Sequence, residues 1–284
     1  MTLRRRVRRG ASLIELLVVL VLLLPVLAIG ALATRRILTT EAALGTTSAR
    51  ATAISDALQT IARHVRSVNP RVGDLVTASG STLDITTTIG LAAVCRVRGD
   101  TVLITHGTPS SPWAGSLPRS VTTSDALRLW READASWIAR GVLAASTSSL
   151  PCGEAWAPWP GAAAQRLRLT DAATGLRPGA LVRVVERERW SLAASGDGSW
   201  SLTLTGWNPG TGAFAVPQPF VSPLAPLTSP GGAGFRVRAR DASGAVLGPG
   251  SLDSARFIDV ILRSAPHARY GVILDSVRVN VGTP

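Results

Sequence analysis

The residue whose type and position most clearly suggest a chemical role is Glu15, near the start of the chain, which directly precedes a long uncharged run. Nineteen uncharged residues follow it, from Leu16 to Thr34. Five arginines precede it: Arg4, Arg5, Arg6, Arg8 and Arg9. A carboxylate within an apolar membrane segment costs roughly 2.5–3.5 kcal/mol on insertion scales, so it is usually kept for a function and has a partner. Its chemistry here is electrostatic, because a carboxylate in a low-dielectric environment attracts a positive group strongly.

The segment that carries Glu15 has the length and composition of a membrane-crossing helix. Residues 11–33 would extend about 34 Å at ~1.5 Å per residue, which is enough to cross a bilayer. The leading arginines favour a cytoplasmic N-terminus, which would place the rest of the chain on the other side of the membrane. We therefore predict that residues 11–34 form a transmembrane half of an N-terminal helix.

Three other interpretations of the N-terminal residues remain open. Ser12–Glu15 fits a helix capping box, in which Glu15 reaches back to a backbone N–H. Ala31–Ala33 matches the small-x-small rule of signal peptidase, and cleavage there would release a secreted domain that begins at Thr34. Glu15 would then lie inside a signal core longer than the usual 7–15 residues, which argues against this interpretation. A plain N-terminal membrane anchor is the third alternative.

The basic start, Gly10, Ala11 and Glu15 together resemble the class III signal of type IV pilins and pseudopilins. The resemblance implies cleavage by prepilin peptidase after Gly10, methylation of the new amino terminus at Ala11, and attraction of a neighbouring subunit's amino terminus by Glu15. The first mature residue is most often Phe in that family, and here it is Ala11.

The same resemblance implies the function and location of the protein. It implies a minor pilin or pseudopilin of a type IV pilus or of type II secretion, acting in assembly initiation or at the fibre tip. The expected partners are other pilins, prepilin peptidase and inner-membrane lipid. The expected location is the inner membrane, with a single span and a periplasmic C-terminal domain, before assembly into a fibre. The alternative is a tethered or secreted β-rich binding module that does not polymerise.

An apolar stripe predicts that the helix continues beyond the membrane. Ile54, Leu58, Ile61, Val65 and Val68 recur at alternating steps of four and three residues, as on one face of a helix. Pro70 should end the helix, because the residue before a proline is driven out of the helical region. The threonine-rich stretch 39–52, which contains Gly45, is the weakest part by propensity.

After Pro70 the hydrophobic period changes from helical to two, which predicts strands. The predicted strands lie at 83–89, 92–97, 101–105, 181–190, 200–205, 235–239, 258–262 and 277–281. The segments 107–120, 146–161 and the proline series 217–230 are predicted as linkers. The fold class is therefore α+β: a long N-terminal helix followed by a mostly antiparallel sheet. The predicted domains are a leader (1–10), the transmembrane helical half (11–34), an amphipathic helical half (35–69) and a β-rich domain (70–284).

The order of the later strands also resembles the larger minor pilins of the PilW type and the J-type pseudopilins of type II secretion. The likeness rests on the strand pair in 181–205, the basic strand and turn in 235–244 and the terminal Val277–Asn280 strand.

Cys95 and Cys152 are the two cysteines of the chain. In an oxidising environment a pair is more often bridged than free, so a disulfide between them is expected, with two buried thiols as the alternative. His64, His106 and His267 are isolated in sequence, so neither a metal site nor a cofactor is expected.

The sequence contains no enzymatic motif. It has no G-x-S-x-G elbow, no H-E-x-x-H and no phosphate loop, since all thirty basic residues are arginine. The chain is therefore expected not to be an enzyme. A net charge of +12 could indicate nucleic-acid binding. Arginines such as Arg236, Arg238 and Arg240 instead alternate along a strand, as they do on a solvated face, so a nucleic-acid partner is not expected. The eight tryptophans, Trp156 and Trp159 among them, are expected in packing rather than on a ligand face.

Overall fold

The computed structural model describes residues 44–105, 115–148, 164–209, 211–267 and 271–282, together with Arg35, Glu41 and Cys152. The chain divides into two compact units, 1–52 and 53–284. In the first unit the described residues are helical. The second unit holds the strands described below.

Helix α1 covers residues 44–66, and its later turns pack on the sheet of the second unit. The predicted stripe is confirmed, since Ile54, Leu58, Ile61 and Val65 are all buried in the core. The helix is followed by a short 3-10 turn, Pro70–Val72, whose entry is capped by the Asn69 side chain. The predicted end of the helix before the proline is therefore also confirmed.

Fourteen strands run through the described residues. They are β1 (Leu75–Gly80), β2 (Thr82–Arg98), β3 (Thr101–Thr105), β4 (Gly115–Ser116), β5 (Ala126–Arg131), β6 (Ser136–Ser148), β7 (Ala164–Leu169), β8 (Leu181–Ala194), β9 (Trp200–Asn208), β10 (Ala213–Phe214), β11 (Gln218–Leu224), β12 (Phe235–Arg240), β13 (Phe257–Arg263) and β14 (Leu274–Asn280). All of their pairings are antiparallel.

The first hydrophobic core lies between α1 and one part of the sheet. The strands run in the order β11, β9, β8, β2, β1, β12, β13 and β14. The largest fully buried side chains there include Trp190, Phe235 and Ile61. Alternation along β12 explains the packing, because Phe235, Val237 and Ala239 face the core while the intervening arginines do not.

The second hydrophobic core is enclosed by a closed ring of six strands among the described residues. β2 pairs with β8 and β3, β3 with β7, β7 with β6, β6 with β5, and β5 returns to β8. Leu127, Leu129, Leu167 and Leu169 fill its interior with no exposed surface. The long strands β2 and β8 thus contribute to both cores.

A register shift between Thr88 and Gly90 lets β2 serve both cores. Leu83 and Ile85 face the first core, whereas Ala92 and Val94 face the second. The core-facing residues of β2 are odd-numbered before the shift and even-numbered after it, because the extra residue of a bulge reverses the alternation of a strand.

The predicted α+β fold class is wrong. Antiparallel strands dominate the described residues, and within the predicted 11–69 helix the continuous described helix is α1, over 44–66. The prediction contains too few strands, since it has none at β1, β4, β5, β6, β7 or β10, and since β11 falls in the proline series that is predicted as a linker. The predicted leader (1–10) and transmembrane half (11–34) lie outside the described residues.

The predicted location is also corrected. Within the part of the chain that the structure describes, no helix is long and apolar enough to cross a membrane. The described helix cannot do so because α1 carries Arg50, Asp56, Arg63 and Arg66. This finding contradicts the prediction of a single-pass inner-membrane protein with a periplasmic domain.

Most of the predicted strands are confirmed. β2, β3, β8, β9, β12, β13 and β14 cover the predicted segments. In the turn between β8 and β9, Gly198 has a φ of 80° and the Asp197 carboxylate accepts a hydrogen bond from the Ser199 backbone N–H. The linker predicted at 146–161 is partly wrong, since β6 extends to Ser148.

Candidate functional site

The residues of the predicted N-terminal site lie outside the described residues. This applies to Gly10 and Ala11, where cleavage and methylation are expected, and to Glu15, where subunit pairing is expected. Their roles stay predictions.

The two cysteines lie beside each other in the structure. Cys95 and Cys152 form a disulfide with a Cα–Cα distance of 5.3 Å. The bond connects β2 to a chain position 57 residues away, and Cys152 is buried. It connects Cys152 covalently to a strand of the six-stranded ring.

A polar cluster that the sequence did not reveal lies where α1 meets β8. The Nδ1 atom of His64 is 2.7 Å from Oε1 of Glu188. The same carboxylate oxygen accepts a hydrogen bond of 3.0 Å from the indole Nε1–H of Trp190. Glu188 is buried and Trp190 is fully buried, so a charged group here requires these partners.

Electrostatics within this cluster shift the ionisation of His64. The hydrogen bond that the His64 ring donates to Glu188 raises the pKa of His64 above its usual value near 6.5, although burial acts in the opposite direction. The carboxylate thereby favours the imidazolium form. The edge of the His64 ring also contacts Trp190, with ring centroids 5.9 Å apart. The arrangement is suited to holding the helix on the sheet.

Glu186 extends the polar cluster along β8. Burial is the main cause that raises its pKa, and the nearby Arg119 opposes this shift. Arg119 lies 3.7 Å from Glu186 and also makes two 2.7 Å hydrogen bonds to the fully buried Asp125. This chain of charges lies between the two hydrophobic cores on one side of β8.

The opposite side of β8 carries a second group of ion pairs. The fully buried Asp84 accepts two hydrogen bonds of 2.8 Å from Arg187 and one of 2.8 Å from Arg189. The Arg187 and Arg189 guanidinium groups in turn lie over the Phe214 ring, at 5.3 and 3.8 Å from its centroid. Trp207 contacts Phe214 edge to face, so the aromatic pair covers the arginines and keeps the ion pair partly dry.

Asp74 connects the end of the helical region to the same side of β8. Its Oδ2 atom accepts hydrogen bonds from the Asn69 backbone at 3.1 Å and from Arg183 Nη2 at 2.8 Å. Arg183 also donates to the hydroxyl of Thr88 and lies over the Trp137 ring. Asp74 and Asp84 therefore use strand arginines as internal partners.

Neither group of residues forms a catalytic arrangement. The His64 ring contacts Glu188 and Trp190, and among the described residues no nucleophilic hydroxyl or thiol forms a hydrogen bond with it. No group of three or more His, Cys, Asp or Glu side chains in the described ranges could hold a metal ion. What these residues do is connect elements of the fold.

A sequence signal for these ion pairs exists, but it is weak. The charges alternate in sign along Glu186–Arg189, in a strand that has neighbours on both of its edges. An alternating strand is normally assigned one solvated face, so the partners Asp74, Asp84 and His64 could not be identified without the topology.

Comparison with known proteins gave no match. No protein-family model matches the chain, and no significant match was found among curated proteins or solved structures. The comparisons thus provide no family evidence for a pilus or secretion role, and the resemblance rests on the residues of the chain itself.

Proposed function

We propose that this chain is a structural subunit of a pilin-like fibre, a minor pilin or pseudopilin. The observation that carries the proposal is the order of residues in 4–34: an arginine block, Gly10, Ala11, and Glu15 at the head of nineteen uncharged residues. A lone carboxylate in that position needs a cationic partner, and the amino terminus of a second subunit supplies one.

The proposed position of the subunit in the fibre is based on the size and the packing of the second unit. Residues 53–284 contain two hydrophobic cores, a disulfide and several buried ion pairs, which are the features of a stable head rather than of a catalytic site. Such a large head would obstruct side-by-side stacking of many copies. We therefore assign the subunit to priming or capping of a fibre rather than to its shaft.

The decisive variant for this proposal is Glu15→Ala. Loss of the carboxylate leaves the amino terminus of the neighbouring subunit without its partner, so Glu15→Ala should be absent from sheared fibres while its cellular amount is unchanged. Glu15→Gln should behave in the same way, because it keeps the size of the side chain and removes only the charge.

Glu41→Ala is the matched control, since Glu41 is a second N-terminal glutamate and is exposed. This variant should enter fibres at the wild-type level. Normal incorporation of both Glu15 variants would overturn the pairing role of Glu15.

A further inference from the structure

Four exposed arginines project from the outer face of the six-stranded ring. Arg96 and Arg98 belong to β2, and Arg166 and Arg168 belong to β7. β3 lies between these two strands and pairs with both. We call the four residues the arginine quartet.

A β-bulge at Cys95 turns the first two arginines outward. Val94 pairs with Ile104 and Arg96 pairs with Leu103, so Cys95 is the extra residue. Strict alternation from the inward-facing Val94 would have directed Arg96 into the ring. The bulge reverses the alternation, and bulges often serve to re-aim side chains in this way.

The disulfide holds this bulge in place, because Cys95 is itself the extra residue and is bonded to the buried Cys152. The direction of Arg96 is therefore fixed by a covalent connection as well as by strand pairing.

Strand register gives the quartet a regular spacing. Arg98 and Arg168 both pair with Thr101, while Arg96 and Arg166 both pair with Leu103. Neighbouring strands are about 4.8 Å apart and residues rise ~3.3 Å along a strand. The four backbone positions thus form a rectangle of roughly 10 by 7 Å.

Among the described residues, the quartet contrasts with strand arginines that share a carboxylate. Arg187 and Arg189 share Asp84, and Arg240 and Arg278 share Asp259. No carboxylate of the described residues forms an ion pair with Arg96, Arg98, Arg166 or Arg168. Four cations within about one Debye length repel each other, so a bound anion would relieve an electrostatic cost built into this face.

A cavity of about 240 Å³ opens beside three of the four arginines, with Arg168 outside its described lining. Arg96, Arg98 and Arg166 line it together with Thr101 and Leu103. A concave surface allows one anion to be contacted from several sides, and guanidinium groups bind oxyanions through paired N–H donors.

We propose that the arginine quartet is a binding site for a small anion that carries two phosphate groups. The charges select phosphate over carboxylate, because four guanidinium groups carry +4 and two phosphate monoesters carry about −3 to −4 at neutral pH. The distances between the arginines favour an anion whose two phosphate groups are also separated, so that each phosphate lies beside one pair of arginines. This inference does not depend on the proposed fibre function.

Isothermal titration calorimetry of the full chain tests the site. Fructose 1,6-bisphosphate is the probe, since a six-carbon sugar separates its two phosphates, and fructose 6-phosphate is the matched monophosphate. The bisphosphate should bind at least about tenfold more tightly than the monophosphate, because its second phosphate adds further charge-assisted contacts. Citrate, a polycarboxylate of similar charge, should bind more weakly than the bisphosphate.

Two double variants separate the site from general positive charge. Arg96→Gln with Arg166→Gln should weaken binding of the bisphosphate at least about tenfold, as should Arg98→Gln with Arg168→Gln. Arg71→Gln with Arg238→Gln removes the same charge from exposed positions elsewhere and should leave binding unchanged. Equal affinity for the bisphosphate and the monophosphate, or equal losses in the quartet and control variants, would overturn the proposal.

Discussion

The Nδ1 atom of His64 lies 2.7 Å from Oε1 of Glu188, and this contact joins helix α1 to the strand that both hydrophobic cores share. Glu188 is buried beside the indole of Trp190, which donates to the same oxygen. The charge of a histidine is therefore coupled to the packing of the helix on the sheet.

This coupling predicts a pH dependence of stability. The pKa of His64 is raised in the folded protein by its hydrogen bond to the Glu188 carboxylate, with Arg63 and Glu186 as the other charged groups that act on it. The folded state therefore binds the proton more tightly than the unfolded chain does. The stabilisation that protonated His64 contributes is fully present below pH ~6.5 and is lost as the pH rises through the raised pKa. Urea unfolding at pH 6 and at pH 8 should show this loss.

His64→Gln supplies the comparison for the pH experiment. The variant should be less stable than the wild type at pH 6, and the difference between them should shrink at pH 8. A difference that is the same at both pH values, or that grows at pH 8, would show that the imidazolium does not stabilise the fold.

Asp84→Asn tests the ion pairs on the other side of β8. The substitution leaves Arg187 and Arg189 without their shared carboxylate in a partly buried place. Loss of a fully buried partner costs about 3–5 kcal/mol, and the partial exposure of the arginines lowers the expected loss to roughly 2–3 kcal/mol. Chemical denaturation measures it. Asp253→Asn, at an exposed position, should change the free energy of unfolding by less than about 0.5 kcal/mol.

Ile61→Ala tests the contact between α1 and the sheet. Ile61 has no exposed surface and lies in the middle of the helical stripe. Truncation of such a side chain should lower the free energy of unfolding by about 2–5 kcal/mol. The exposed neighbour Gln59→Ala should have little effect, and a comparable loss in both variants would mean that the stripe does not carry the packing.

Cys95→Ser combined with Cys152→Ser tests the disulfide. Closure of a loop across 57 residues should stabilise the fold by about 4 kcal/mol through the entropy of the unfolded chain. The double serine variant should lose about that amount in thermal or chemical unfolding. A wild type whose stability does not change upon addition of a reductant would contradict the bond.

Local patterns were sufficient to predict many elements of the fold. The stripe of Ile54, Leu58 and Ile61 fixed the face of α1, because burial on one side of a helix leaves a period near 3.6. Alternation likewise identified β12, where Phe235 and Val237 face the core. These elements bury a single face, so their sequences display it directly.

Other elements could not be predicted because tertiary context decides them. β11 contains Pro219 and Pro223, yet it is a strand that pairs with β9, and proline is tolerated at the edge of a sheet. In β6 a register shift between Val142 and Ala144 interrupts the alternation that would have identified it. The ring itself depends on pairings between segments distant in sequence, such as β2 with β8.

The candidate sites also differ in whether the sequence alone identifies them. Glu15 was identified because a charge in an apolar run is unusual in sequence, whereas His64 and Glu188 are 124 residues apart and meet only in the fold. The arginine quartet also needs the topology, since β3 brings Arg98 and Arg168 to one level.

The intact mass of the mature chain, produced together with a prepilin peptidase, tests the central claim most directly. We predict a chain that begins at Ala11 and carries one methyl group on its amino terminus. A chain that begins at Thr34 would show cleavage of a conventional secretory signal, and a chain that retains the residues before Gly10 would show no processing. Either of these masses would contradict assignment of this protein to pilin-like fibres.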